Sequence, residues 1–351
     1  MQKQPWIGKP LTDILFILLP PFVCLLIVIL FPAIFQQSEA VSLAGWVILI
    51  LLIDVGHVYS TLYRTYFDSH AMKQQKALLF AIPFFSFVLG VLVYSMSSLW
   101  FWRLLTYIAV YHFIRQQYGF MRIYSRYEKK DNYSSISDKI IIYTASIYPM
   151  LYWHLKGPRN FNWFIDNEFV FIRSEGILTF LTIVYFTIVG LYVLFQIRHI
   201  ILTKTVNLPK LAIISGTLLS WYFGIVYFNG DMAFTLLNVV SHGIPYMALV
   251  WIHGKKSTSV KPAANRLLQL VFSRYGLIFF LLIIFALAFI EESLWDISVW
   301  KEHKTIFGTN HITNIQLSDQ LLCFIVPLLT VPQLTHYIVD GYIWKKKKSD
   351  G

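Results

Sequence analysis

Four histidines stand inside long apolar runs, at His57, His112, His242 and His336, and two of them come with a carboxylate at helical spacing. In Asp54-Val55-Gly56-His57 the acid precedes the imidazole by three residues. The two share a helix face that Thr61 and Arg64 extend by a further one and two turns. In Thr335-His336-Tyr337-Ile338-Val339-Asp340 the pair is four apart, with Gln333 one turn earlier. The third segment, His112 to Gly119, sets His112, Arg115 and Gln116 on one face. Arg115, a poor metal ligand, is expected to pair with a buried carboxylate or clamp an anionic group. The fourth segment places Asn238, His242, Tyr246 and His253 near one face, and Pro245 in it should free the carbonyl near Ser241 and bend the helix. His70, in a basic loop, can reach the same rim as His253.

Such polar groups in a membrane helix are costly and mark sites by default. His57, His70, His112, His242, His253 and His336, with Asp54 and Asp340, make a ligand inventory sufficient for two metal ions. Imidazole with carboxylate suits non-haem iron. Zinc uses the same ligands, and a haem between two facing histidines needs only two of them. A proton pathway and plain interhelical hydrogen bonding remain open at this stage. Arg115, Gln116 and Tyr246 are the candidates for positioning a substrate. His154 and His199 fall at span ends, and His303 and His311 in an outer loop.

The elements that must carry these residues follow from composition. The 351 residues are 57% hydrophobic, 17% aromatic and 13% charged, about half the charge of a soluble domain. Runs of about 20 apolar residues, the length that crosses the hydrocarbon, fall near 12–32, 42–62, 78–98, 101–120, 139–155, 176–197, 209–228, 232–252, 272–290 and 320–341. They predict an all-α, polytopic transmembrane bundle of about ten helices, one integral membrane domain over 1–351. The first run is too long for a cleavable signal, so the amino terminus is expected to stay attached. Most of the 29 Lys and Arg fall in alternate loops and at both ends, including Lys345 to Lys348, while Glu39, Asp166, Glu168, Glu175, Asp231, Glu291, Glu292 and Asp296 fall on the other side. Both termini are therefore expected in the cytoplasm, at the plasma membrane if the source is bacterial.

On that topology the four midspan histidines share the cytoplasmic half, roughly 7 to 15 Å from the inner ends of their spans. The formal charge of +11 is topological, and no nucleic-acid motif accompanies it. Cys24 and Cys323 provide no disulfide framework, and no Gly-rich phosphate loop occurs. Of the outer loops, 156–175 has room for short structure and 291–318 is expected to cap the outer face.

The layer of histidines loosely resembles the histidine-rich integral-membrane non-haem iron desaturases and hydroxylases, although isolated histidines stand where those families carry HxxxH and HxxHH boxes. The resemblance implies a metal-dependent oxidoreductase that holds iron near the cytosolic side. An apolar substrate such as a lipid would enter from the bilayer, and electrons would come from an external donor. Two other readings use the same residues. One is a proton-coupled transporter relaying through Asp54, His57, Arg115 and Asp340; the other is an acyl or headgroup transferase with histidine as base.

Overall fold

The computed structural model describes residues 4–38, 40–128, 132–260, 265–309 and 317–344, and every regular element among them is helical. His311 and the tail Lys345 to Lys348 lie outside the described residues, as do Lys3, Glu39, Lys129, Lys130 and Lys261 from the charge pattern. In chain order the principal helices are α1 (Pro10–Leu18), α2 (Pro20–Leu30), α3 (Leu43–Arg64) and α4 (Ser69–Met96). Next come α5 (Ser98–Tyr124), α6 (Asn132–Lys156), α7 (Glu175–Thr203) and α8 (Leu208–Tyr227). The last three are α9 (Asp231–Val260), α10 (Leu277–Trp300) and α11 (Asp319–Ile343).

Each apolar run of the sequence falls on a helix, and the protein is an all-α integral membrane protein. The count of ten spans is corrected. Among the described residues seven helices are long and apolar enough to cross a membrane, or eight if α1 and α2, bent by 47°, are one span. The long helices outside that set are α5 and α6. Arg103, His112, Arg115, Gln116 and Gln117 interrupt the apolar run of α5; Asp138, Lys139 and four tyrosines do so in α6. These residues lower the mean hydropathy of a helix without shortening it.

The chain forms two compact units, Met1–Leu49 with Val110–Ala248, and Ile50–Ala109 with Leu249–Gly351. In the first, α6 packs on α7 and α8, and α8 packs on α2. Gly216 allows that last approach, since a Cβ there would stand 2.6 Å from the Pro21 ring. At one end, Trp153, Phe161, Phe169 and Phe234 form an aromatic core that holds the loop after α6. The Glu168 carboxylate accepts from the backbone N–H groups of Trp163, Phe164 and Ile165 in that loop. At the other end the buried Lys210 ammonium donates to Glu128 and, at 2.9 Å, to Asp138, which also accepts from Tyr192. Asp13 accepts from the backbone of Ile7 and Gly8 and from the Tyr124 hydroxyl at 3.1 Å. Burial, reinforced by Asp13, raises the Tyr124 phenol well above its ordinary range, so it stays a donor.

In the second unit α4 runs along α11, with Leu79, Val339 and Ile343 between them and Gly90 against Pro327. α10 and α11 both pack on the Gly56–Ser60 stretch of α3, where Phe285 meets Gly56. The outer loop expected at 291–318 starts ten residues later than read from the sequence, because α10 continues through Glu291, Glu292 and Asp296 to Trp300. No Gly or Pro interrupts Leu277 to Trp300, so the carboxylates change the polarity of the helix without ending it.

Candidate metal centre

α3 changes its pitch as it reaches the first histidine. Trp46–Val55 is wound as a wide π-helix, Gly56–Ser60 as α-helix and Thr61–Arg64 as the tighter 3₁₀ form. Wide π turns re-aim side chains within a helix and recur at functional sites. Here they deliver Asp54, half-exposed, and His57, buried, with a carboxylate oxygen 3.7 Å from His57 Nδ1. That separation is an electrostatic contact, too long for a hydrogen bond.

His336, on α11, stands edge-on to His57 with 4.9 Å between ring centroids, and its Nδ1 lies 2.6 Å from the Thr61 hydroxyl. Thr61 and His336 are themselves buried. The hydroxyl one turn beyond His57 therefore fixes the ring of the histidine on the facing helix.

The first unit builds a second pair by other means. His112 and His242 stand edge-on at 5.0 Å, and the His242 ring lies flat on Phe113, with 3.6 Å between centroids and planes within 6°. Two adjacent glutamines hold the backbone behind it. Pro245 removes the N–H that Ser241 would meet four residues on; Gln117 Nε2 donates to that carbonyl at 3.2 Å, and Gln117 Oε1 accepts from the Thr217 hydroxyl. Gln116 Nε2 donates to the His242 carbonyl at 2.8 Å. The carbonyl expected to be freed by Pro245 is thus satisfied by a side chain that the sequence reading passed over.

Each unit thus builds one pair of facing imidazoles, and all four residues are buried, at most 3% exposed.

The other expected site residues fall elsewhere. His70 is exposed and bonded to Gln74 at 2.7 Å, where Asp68 caps the start of α4. His253 is exposed and bonded to the Arg64 guanidinium, which also donates to the Ile343 carbonyl and lies over the Trp344 ring. Asp340, paired with His336 in the sequence reading, instead accepts from the Trp344 indole at 2.6 Å. Arg115 departs most from expectation. It is exposed, bonded to the Tyr143 hydroxyl and lies over the Tyr118 ring, while its neighbour Gln116 is buried. Three residues along a helix is a rotation of about 300°, enough to carry one edge of a face into the open. Tyr246 is buried in α9 at 1% exposure.

Thr61, Phe113 and Gln117 were not singled out as site residues by type or spacing. For Thr61 the signal was present in its i+4 relation to His57. For Gln117 it lay in the unsatisfied carbonyl that Pro245 creates.

Comparison with protein-family models, with curated proteins and with solved structures finds no match to this chain.

Proposed function

We propose that this chain is a metal-dependent membrane oxidoreductase acting on a lipid or another apolar molecule. The observation that carries the reading is the edge-on pair of buried imidazoles that each unit builds, His57 with His336 and His112 with His242. At metal–nitrogen distances of about 2.1 Å, ligand nitrogens in a tetrahedral shell sit about 3.4 Å apart, and those across an octahedral shell about 4.2 Å apart. Imidazoles whose centroids stand 4.9 and 5.0 Å apart close onto either with small side-chain movements. His57 with His336 and His112 with His242 would supply the ligands, without His70, His253 and Asp340, which are engaged elsewhere. Imidazole donors suit iron and zinc alike, and iron is the ion that the proposed oxidation needs. Bound iron would supply one-electron chemistry with oxygen, and reducing equivalents would come from an external donor.

The chain's own residues set the ligands. Ligation through His336 Nε2 requires the tautomer whose Nδ1–H donates to the Thr61 hydroxyl oxygen, and that contact supports it. Asp54 beside His57 favours the same polarity on that ring. Phe113 fixes the plane of His242, and Gln116 fixes its backbone. All four imidazoles are buried away from bulk water, which suits chemistry on a C–H bond more than hydrolysis. In this reading both termini face the cytoplasm and the substrate comes from the bilayer.

The test is lipid and metabolite profiling of an expression host that makes the wild type or the His112→Ala, His242→Ala double variant. A desaturated or hydroxylated apolar product that appears with the wild type alone supports the reading. Identical profiles from folded, metal-loaded wild type would refute it and leave proton-coupled transport, or acyl or headgroup transfer by a histidine base.

A further inference from the structure

α10 carries three carboxyls that the metal centre does not use. Glu291, Glu292 and Asp296 are 4%, 8% and 2% exposed. A buried carboxylate is costly unless a cation pairs with it, and among the described residues no Lys, Arg or His forms an ion pair with any of the three. Tyr59 Oη donates to Glu291 Oε2 at 2.6 Å, and the His303 backbone N–H donates to Asp296 Oδ1 at 2.6 Å. The remaining oxygens, Glu291 Oε1 and Asp296 Oδ2, are buried without a hydrogen-bond partner. The Glu292 side chain, more than nine-tenths buried, makes neither hydrogen bond nor ion pair among the described residues, yet it stands in the field of Glu291, Asp54 and Asp296.

Buried carboxyls with no cation beside them do not all ionise. Something neutral to the hydrocarbon must occupy them, and the helix geometry decides between a metal ion and protons. Glu291 and Glu292 project about 100° apart, while Asp296 lies one turn beyond Glu292. The three are strung along the helix instead of converging as a chelate. The groups that face them from neighbouring helices are Tyr59 and Asp54 of α3 and Tyr337 of α11, none of them cationic.

We propose that Glu291, Glu292 and Asp296 form a proton-carrying file along α10, running from the turn beside Trp300 to the Tyr59 hydroxyl. Each transfer breaks one O–H bond and forms another between carboxyl oxygens, with no electron gained or lost. The file stands whether or not the histidine group binds metal.

Infrared spectroscopy of the full chain in lipid, at neutral pH, tests it. The wild type should show a protonated-carboxyl C=O band that moves on transfer to deuterium oxide. Glu292→Gln, of nearly the same shape, should remove part of that band, and Asp296→Asn should slow the isotope shift of what remains by tenfold or more. Folded wild type with no such band would overturn the proposal without recourse to any variant. So would a band untouched by Glu291→Gln, Glu292→Gln and Asp296→Asn, or an isotope shift as fast in Asp296→Asn as in the wild type. Loss of the band on stoichiometric binding of manganese(II) to these carboxyls would replace the file with a cation site.

Discussion

At the scale of single residues, the strongest constraint on the candidate centre is a hydroxyl, not a ligand. Thr61 meets His336 Nδ1 at 2.6 Å. Removing a partner that orients a ligating histidine typically weakens metal binding about 10–100-fold. Thr61→Val keeps the shape and deletes the hydrogen bond, so its metal affinity, read by competition with a chelator of known strength, should fall by that factor while the fold persists. His70→Ala and His253→Ala should leave metal content unchanged, because those rings bond to Gln74 and Arg64.

A structural prediction belongs to the same scale. Lys210→Met should strand the buried Asp138 carboxylate. Breaking such a pair costs roughly 3–5 kcal/mol, visible as a large drop in thermal midpoint that Tyr192→Phe, which removes one neutral donor to Asp138, does not match. At this scale the sequence was readable where a polar residue stood alone in an apolar run, as His57, His112, His242 and His336 did. It misled where long side chains had a choice. Arg115 and Asp340 were placed by spacing, but Tyr143 and Trp344 compete for them, and spacing alone does not reveal a competitor.

Among the elements, close helix approach rests on small residues whose contacts differ sharply. A Cβ at Gly90 would stand 2.9 Å from Pro327, whereas one at Gly190 meets nothing within 4 Å. Gly90→Leu should therefore pry α4 from α11 and destabilise by about 1–3 kcal/mol. Gly190→Ala, in a helix with open space beside it, should be neutral or stabilising by up to about 1 kcal/mol. Thermal unfolding of the pair in one detergent checks both, and equal effects would contradict the packing.

The helices were legible because long apolar runs leave the backbone no other way to satisfy its polar groups. Their ends were less so. α10 was cut at Glu291 because the reading equated charge with water, whereas the helix continues and buries the charge. The π-helical stretch of α3 was invisible for a related reason. Spacing arguments assume one pitch, and Trp46–Val55, Gly56–Ser60 and Thr61–Arg64 use three.

For the whole molecule, the asymmetry of Lys and Arg between alternate loops carries a prediction of orientation: a reporter fused after Ser349 should be active in the cytoplasm, and periplasmic activity there would invert the assignment. What the composition left open was which histidines face one another, since counting imidazoles along the chain does not distinguish ligands from rim residues. Pairing His57 with His336 and His112 with His242 while leaving His70 and His253 elsewhere is the work of tertiary structure.

The most direct measurement is metal stoichiometry by inductively coupled plasma mass spectrometry, on untagged protein purified in detergent after growth with added iron. A His57→Ala, His336→Ala variant serves as the comparison. The account predicts about one metal ion per chain or more, iron foremost, with the content lowered in the double variant and retained in His70→Ala. Folded wild type that carries no metal, or a metal content indifferent to His57 and His336, would contradict it.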